Sequence, residues 1–137
     1  MYTPPIQDQK FIIEHLIGIN SIAASQNGDA QSQHMIDKEL VWSILDEAGK
    51  FASTVLAPLN HSGDKQNSKL SQHGDVITPD GFKEAYQAMC DAGWTTLEAK
   101  TEWGGQEMPM SISAAVCEMW HSCLLYTSDA ADETCRG

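Results

Sequence analysis

Two adjacent acids, Asp46 and Glu47, are the first residues whose types could do chemistry, since paired carboxylates can act as general acid and base. They fall on the polar side of an amphipathic helical pattern, where a solvated role is the simpler reading. His15 stands beside Glu14, but His15, His34, His61, His73 and His121 share no metal-ligand spacing. The cysteines Cys90, Cys117, Cys123 and Cys135 form no C-x-x-C and no paired Cys/His set. Cys90 and Cys117 sit in apolar helical patterns, where a free thiol behaves as a small buried hydrophobe. Met108, Met110 and Met119 could line an apolar channel, although helix packing accounts for them more simply. The most suggestive local feature is Gly104-Gly105, set between Trp103 and Gln106. Two glycines permit positive φ and close backbone approach to another surface; an interhelical turn is the plainer alternative. Neither phosphate-cradling glycine loops nor H-E-x-x-H or G-x-S-x-G motifs occur. The chain is therefore expected to hold no catalytic, no cofactor-binding and no metal-binding residue of its own.

Composition narrows the partners. The net charge is −11, from 8 Lys+Arg against 19 Asp+Glu, and the lysines are scattered. A nucleic-acid surface needs clustered cations to displace counterions, so nucleic acid is excluded as a partner, and an anionic membrane surface fares no better. A polyanionic ligand would have to be gripped by another part of the molecule. With 42% hydrophobic and 20% charged residues the composition is that of a globular domain. No run approaches the roughly 18 apolar residues of a membrane span, and the first ten residues lack a secretory layout, so a cytoplasmic location is expected.

The elements that must position any site are helices. Residues 1–36 read as an extension with one short helix, in which Phe11, Ile12 and Leu16 make an apolar face. So short a helix is marginal in water and must dock on something. The strongest helix runs from Lys38 to Leu56, with Asp37 as N-cap. Leu40, Val41, Ile44, Leu45, Ala48, Phe51, Ala52, Val55 and Leu56 follow helical spacing, and Pro58 is expected to end it. Residues 59–78 are polar and turn-rich, with a small ribbon pairing Lys69–Ser71 and Val76–Thr78 around Gly74-Asp75. Thr78-Pro79-Asp80 should open the next helix, with Thr78 capping and Pro79 in its first turn. Phe82, Tyr86, Met89 and Cys90 then share a face, and Gly93 is a stop. A third helical pattern begins near Met110–Ser113, with Ile112, Ala115, Val116, Met119 and Trp120 on one side. The fold class is all-α.

In order along the chain, these pieces resemble the N-terminal region of acyl-CoA dehydrogenases, most closely the long subgroup that includes 3-methylmercaptopropionyl-CoA dehydrogenases. The resemblance is carried by Tyr2-Thr3-Pro4-Pro5-Ile6, by Ile44 to Ala52 with Val55-Leu56-Ala57-Pro58-Leu59-Asn60, by Gly63-Asp64 and by Val76 to Lys83. Gly93-Trp94 and Glu102-Trp103-Gly104-Gly105-Gln106 complete the series. One position departs: the family commonly has a small residue, often Gly, where this chain has Glu107, which would be strained at positive φ. The resemblance implies a complete enzyme that dehydrogenates an acyl-CoA thioester at its α and β carbons. It implies FAD as cofactor, an electron-transfer flavoprotein as partner and a homo-oligomeric assembly. The family's flavin site and catalytic glutamate lie in a middle β-domain and a C-terminal helical domain, neither of which is matched here. The alternative from the residues alone is a non-catalytic helical protein-interaction module.

From Cys123 to Glu133 the sequence CLLYTSDAADE interrupts the helical pattern and looks like translated sequencing adapter. The expected organisation is therefore an extension (1–36), a truncated helical N-terminal domain (37–122) and a non-native tail (123–137).

Overall fold

The structure, a computed structural model, describes residues 2–19 and 37–124. Helix α1 spans Ile6–Phe11 and continues through a wider π turn over Ile12–Ile17. Helix α2 spans Lys38–Phe51, with the Asp37 carboxylate accepting from the Glu39 N–H at 3.0 Å as the expected N-cap. Its apolar stripe buries Val41, Ile44, Leu45 and Ala48, while Leu40, expected on that stripe, faces solvent.

Pro58 does not end this helix. Residues Ala52–Leu56 form a π turn in which the Ala57 N–H reaches back to the Ala52 carbonyl, and helix α3 follows over Ala57–Gln66. A regular α turn would press the proline ring against the preceding turn; the wider ring of a π turn relieves that clash. Asn60 to Asp64, expected as loop, are thus helical.

The ribbon forms as expected in a shorter version. Strand β1 (Lys69–Leu70) pairs antiparallel with β2 (Val76–Ile77), Lys69 opposite Ile77 and Leu70 opposite Val76. The Ser71 hydroxyl accepts from the N–H groups of His73 and Asp75 and so fixes the turn. Helix α4 covers Phe82–Asp91, beginning later than expected: Gly81, not Thr78, stands at its N-cap. The competing interaction is the Gln66 amide, which accepts from the Asp80 N–H at 2.7 Å and holds Thr78-Pro79-Asp80 outside the helix. Gly93, at φ 75°, stops the helix as its sequence position suggests. Two single turns at Trp94–Thr96 and Thr101–Trp103 lead to helix α5, Met110–Cys123.

The core lies between α2, its π turn and α5. Leu45, Val41, Ile112, Val116 and Met119 are fully buried there. Burying each such side chain stabilises the fold by about 1.5–3 kcal/mol. The N-terminal arm docks across this pair by a face other than the expected one. Gln9 and Ile13 are buried, whereas Phe11, Ile12, Leu16 and Ile17 are exposed. Gly49 lets the arm lie close to α2, since a Cβ there would lie 2.5 Å from Ile6 Cδ1 and that side chain would have to shift. The Gln9 amide then donates to the Ala115 carbonyl and to Glu118, each at 2.8 Å. The Tyr2 hydroxyl meets Ser122 Oγ at 2.7 Å.

Helix α5 runs one residue past Ser122. Cys123 and Leu124 are buried, because Cys123 continues the face of Met119 and Trp120 at helical spacing. The remainder of the expected non-native tail, residues 125–137, lies outside the described residues, as does the polar stretch 24–29.

Candidate functional site

Among the described residues, those singled out for chemistry are not brought to a shared site. Asp46 pairs with Lys10, Nζ to Oδ1 at 2.8 Å, and so fastens the N-terminal arm to α2. Lys10 also lies over the Trp42 ring, 5.7 Å from its centroid, and Lys38 lies 5.5 Å from the same centroid. Lys38 in turn pairs with Glu14, whose carboxyl the hydrogen bond from Lys38 holds below its usual range. Glu47 pairs with Lys50 on the open side of α2, and that contact raises the lysine's pKa. Both neighbouring acids thus lie in partly exposed ion pairs.

The histidines are equally dispersed. His15 packs its ring 4.9 Å from Phe11, His61 sits in α3, His73 in the ribbon turn and His121 in the last turn of α5. His34 lies outside the described residues. Among the described residues no three His, Cys, Asp or Glu gather as a metal site would require. Met119 is core, Met108 packs against it, and Met110 is 72% exposed, so the methionines line no common channel. Cys90 and Cys117 are half-buried free thiols; burial pushes the Cys123 thiol up to about 11.

Two arrangements do stand out. One is an aromatic joint: Phe51 of α2, Trp94 of the first single turn and Trp120 of α5. Trp120 meets Phe51 and Trp94 edge to face, with centroids 5.5 and 5.6 Å apart. Such pairs add about 0.5–1.5 kcal/mol beyond the area they bury. The sequence carried a signal for it, since Phe51 and Trp120 both lie on predicted apolar faces, but nothing local announced that Trp94 would join them.

The other is the glycine loop. Gly104 has φ 78°, as two successive glycines invite. Gly105 approaches a backbone, and it is the chain's own: a Cβ there would lie 1.9 Å from the Ala99 carbonyl oxygen. The Gln106, Glu107 and Met108 N–H groups bond back to the carbonyls of Thr96, Ala99 and Leu97 at 3.3, 3.0 and 2.9 Å. The loop is a closed turn, in which the Gly104 and Gly105 N–H groups also bond the chain's own carbonyls, those of Thr101 and Lys100. Glu107 has φ 52°, the left-handed region in which a glutamate is strained.

Outside these arrangements the molecule shows much apolar surface. Leu70, Val76 and Ile77 of the ribbon are all exposed, and Trp103 at the tip of the glycine loop is 74% exposed.

A mostly helical chain with one two-stranded ribbon fits a partial helical domain of an acyl-CoA dehydrogenase. No protein-family model matches the chain. Over 138 aligned residues it is 33% identical to the 3-methylmercaptopropionyl-CoA dehydrogenase of Ruegeria pomeroyi. That alignment takes in 96% of this chain and 22% of the relative, so the chain spans about a fifth of that protein's length. Over this stretch the chain is similar to that enzyme, an acyl-CoA dehydrogenase.

Proposed function

We propose that this chain is the N-terminal helical end of a flavin-dependent acyl-CoA dehydrogenase and serves there as scaffold, with catalytic, flavin-binding and metal-binding residues all lying elsewhere. The observation that carries this reading is the identity to such an enzyme across nearly the whole chain, though across a fifth of the relative. The exposed ribbon and Trp103 support it, because apolar patches of this kind ordinarily meet another surface. Their proposed occupant is the remaining length of the same enzyme.

In the complete enzyme a carboxylate would take the α-proton of an acyl-CoA thioester while the β-hydrogen leaves as hydride to FAD. This chain's residues do not fit the flavin: the one glycine loop is closed on Ala99, and lysines are scattered over an acidic surface. No step is therefore assigned to them beyond packing and support. Acyl-CoA as substrate, an electron-transfer flavoprotein as acceptor, homo-oligomeric assembly and a cytoplasmic location belong to the same proposal. Among the described residues no helix is long and apolar enough to cross a membrane. The non-native tail expected over 123–137 is proposed for the residues that follow Leu124, since Cys123 and Leu124 are buried in the core.

The test is the coding DNA around the codon for Ser122. An open frame continuing into strand-rich sequence is expected; a genuine stop codon at that point would sink the reading. The polypeptide offers a second measurement, circular dichroism with a hydrophobic dye. Helical signal with strong dye binding is expected of a scaffold segment, whereas a cooperative melt without dye binding is what a self-contained interaction module would give.

A further inference from the structure

Among the described residues only Asn67 and Glu107 take positive φ without being glycine. Asn visits that region readily, but Glu has no short polar group to stabilise it and ordinarily yields the position to Gly. What surrounds Glu107 explains how it stays. Its Oε1 accepts from the Thr101 N–H at 3.0 Å and from the Thr101 hydroxyl at 3.1 Å. The Thr101 N–H is one of the unpaired donors at the start of the Thr101–Trp103 turn, whose N-cap, Lys100, makes no side-chain cap. The Glu107 N–H meanwhile bonds the Ala99 carbonyl. Backbone and side chain of one residue thus grip both sides of the same short segment.

We infer that Glu107 and Thr101 form a clasp in which the carboxylate caps the Thr101 turn and so holds Glu107 at positive φ, positioning the loop that carries Trp103. The conformation a glycine would supply by lacking a side chain is here supplied by a side chain that has something to hold. This inference does not depend on the function proposed above. It makes the sign of one substitution informative. Glu107→Gly removes the strain and the cap together; Glu107→Gln keeps an acceptor oxygen and keeps the strained backbone.

The experiment is residue-resolved amide hydrogen exchange on the full 137-residue chain, read at Thr101, with Leu45 and Val116 as core controls. Glu107→Gly should speed Thr101 exchange roughly tenfold, since a local opening then breaks fewer contacts. The Glu107→Gln variant should stay within a few-fold of the parent, and Thr101→Val should fall between the two while the core amides hold. If Glu107→Gly leaves Thr101 exchange unchanged or slows it, relief of strain outweighs the cap and the clasp is overturned. Equal acceleration in the Gly and Gln variants would overturn it as well, because the acceptor would then be irrelevant.

Discussion

The two faces of this molecule are built from similar residues and differ in what they touch. On one, Leu45 and Val41 of α2 meet Ile112, Val116 and Met119 of α5 with almost no access to water. On the other, Leu70, Val76 and Ile77 stand on a two-stranded ribbon open to solvent. A two-stranded ribbon is at best marginal without a neighbour. Apolar residue type therefore does not tell which face carries stability in this chain; the neighbour does.

Substitutions can separate the faces. The largest effect is expected at Leu45, where Leu45→Ala should cost about 2–5 kcal/mol, read as a fall in the urea midpoint. Leu70→Ser in the ribbon, by contrast, should change stability by no more than about 0.5 kcal/mol and reduce dye binding. A midpoint drop for Leu70→Ser comparable to that for Leu45→Ala would erase the comparison. Next in size is Gly105→Ala, which must push the loop off the Ala99 carbonyl and should cost about 1–3 kcal/mol. Smaller again is Asp46→Ala, which removes the ion pair with Lys10 at the edge of the arm. About 0.5 kcal/mol is expected, shrinking at high salt, as for other partly exposed pairs.

The last prediction concerns thiols. Cys123 is buried with its pKa raised to about 11 from 9.0, so its neutral form favours the folded state. That contribution is fully present below pH 9 and is lost as pH rises through 11. Near neutrality Cys123 should be alkylated more slowly than the half-buried Cys90 and Cys117. Equal rates for all three would show that the last turn of α5 is not packed.

Much of the sealed face was legible in the residues. Helical spacing from Val41 to Leu56 and from Ile112 to Trp120 identified core positions because one partner surface decides both. Gly93 and Asp37 were legible for a different reason: a positive φ and a side-chain cap are local requirements. The arm was misread, with Phe11 and Leu16 expected inward and Gln9 and Ile13 found there. Which side of a short helix docks is set by distant features, here the notch at Gly49 and the acceptors at Ala115 and Glu118. Helix α3 was missed because Asn60-His61-Ser62-Gly63-Asp64 is turn-like in composition, while continuity with α2 overrides it. Of the chemistry-bearing candidates, the glycine loop takes at Gly104 the positive φ that its glycines permit, while its closure on Ala99 requires three dimensions to see.

The wide turn at Ala52–Leu56 has a bearing on how this chain tolerates change in length. A π turn is equivalent to one residue inserted into a regular helix, and each helical residue advances the phase by about 100°. Deleting a single residue there would close the wide turn into a regular one and leave α3 nearly in phase, whereas deleting one within the regular turns of α2 would swing α3 around the helix axis by that angle. Leu59, which packs against the core from α3, would leave its place. A shortening within the regular turns of α2 would therefore misdirect α3, while the wide turn is the place where one residue can be lost without doing so.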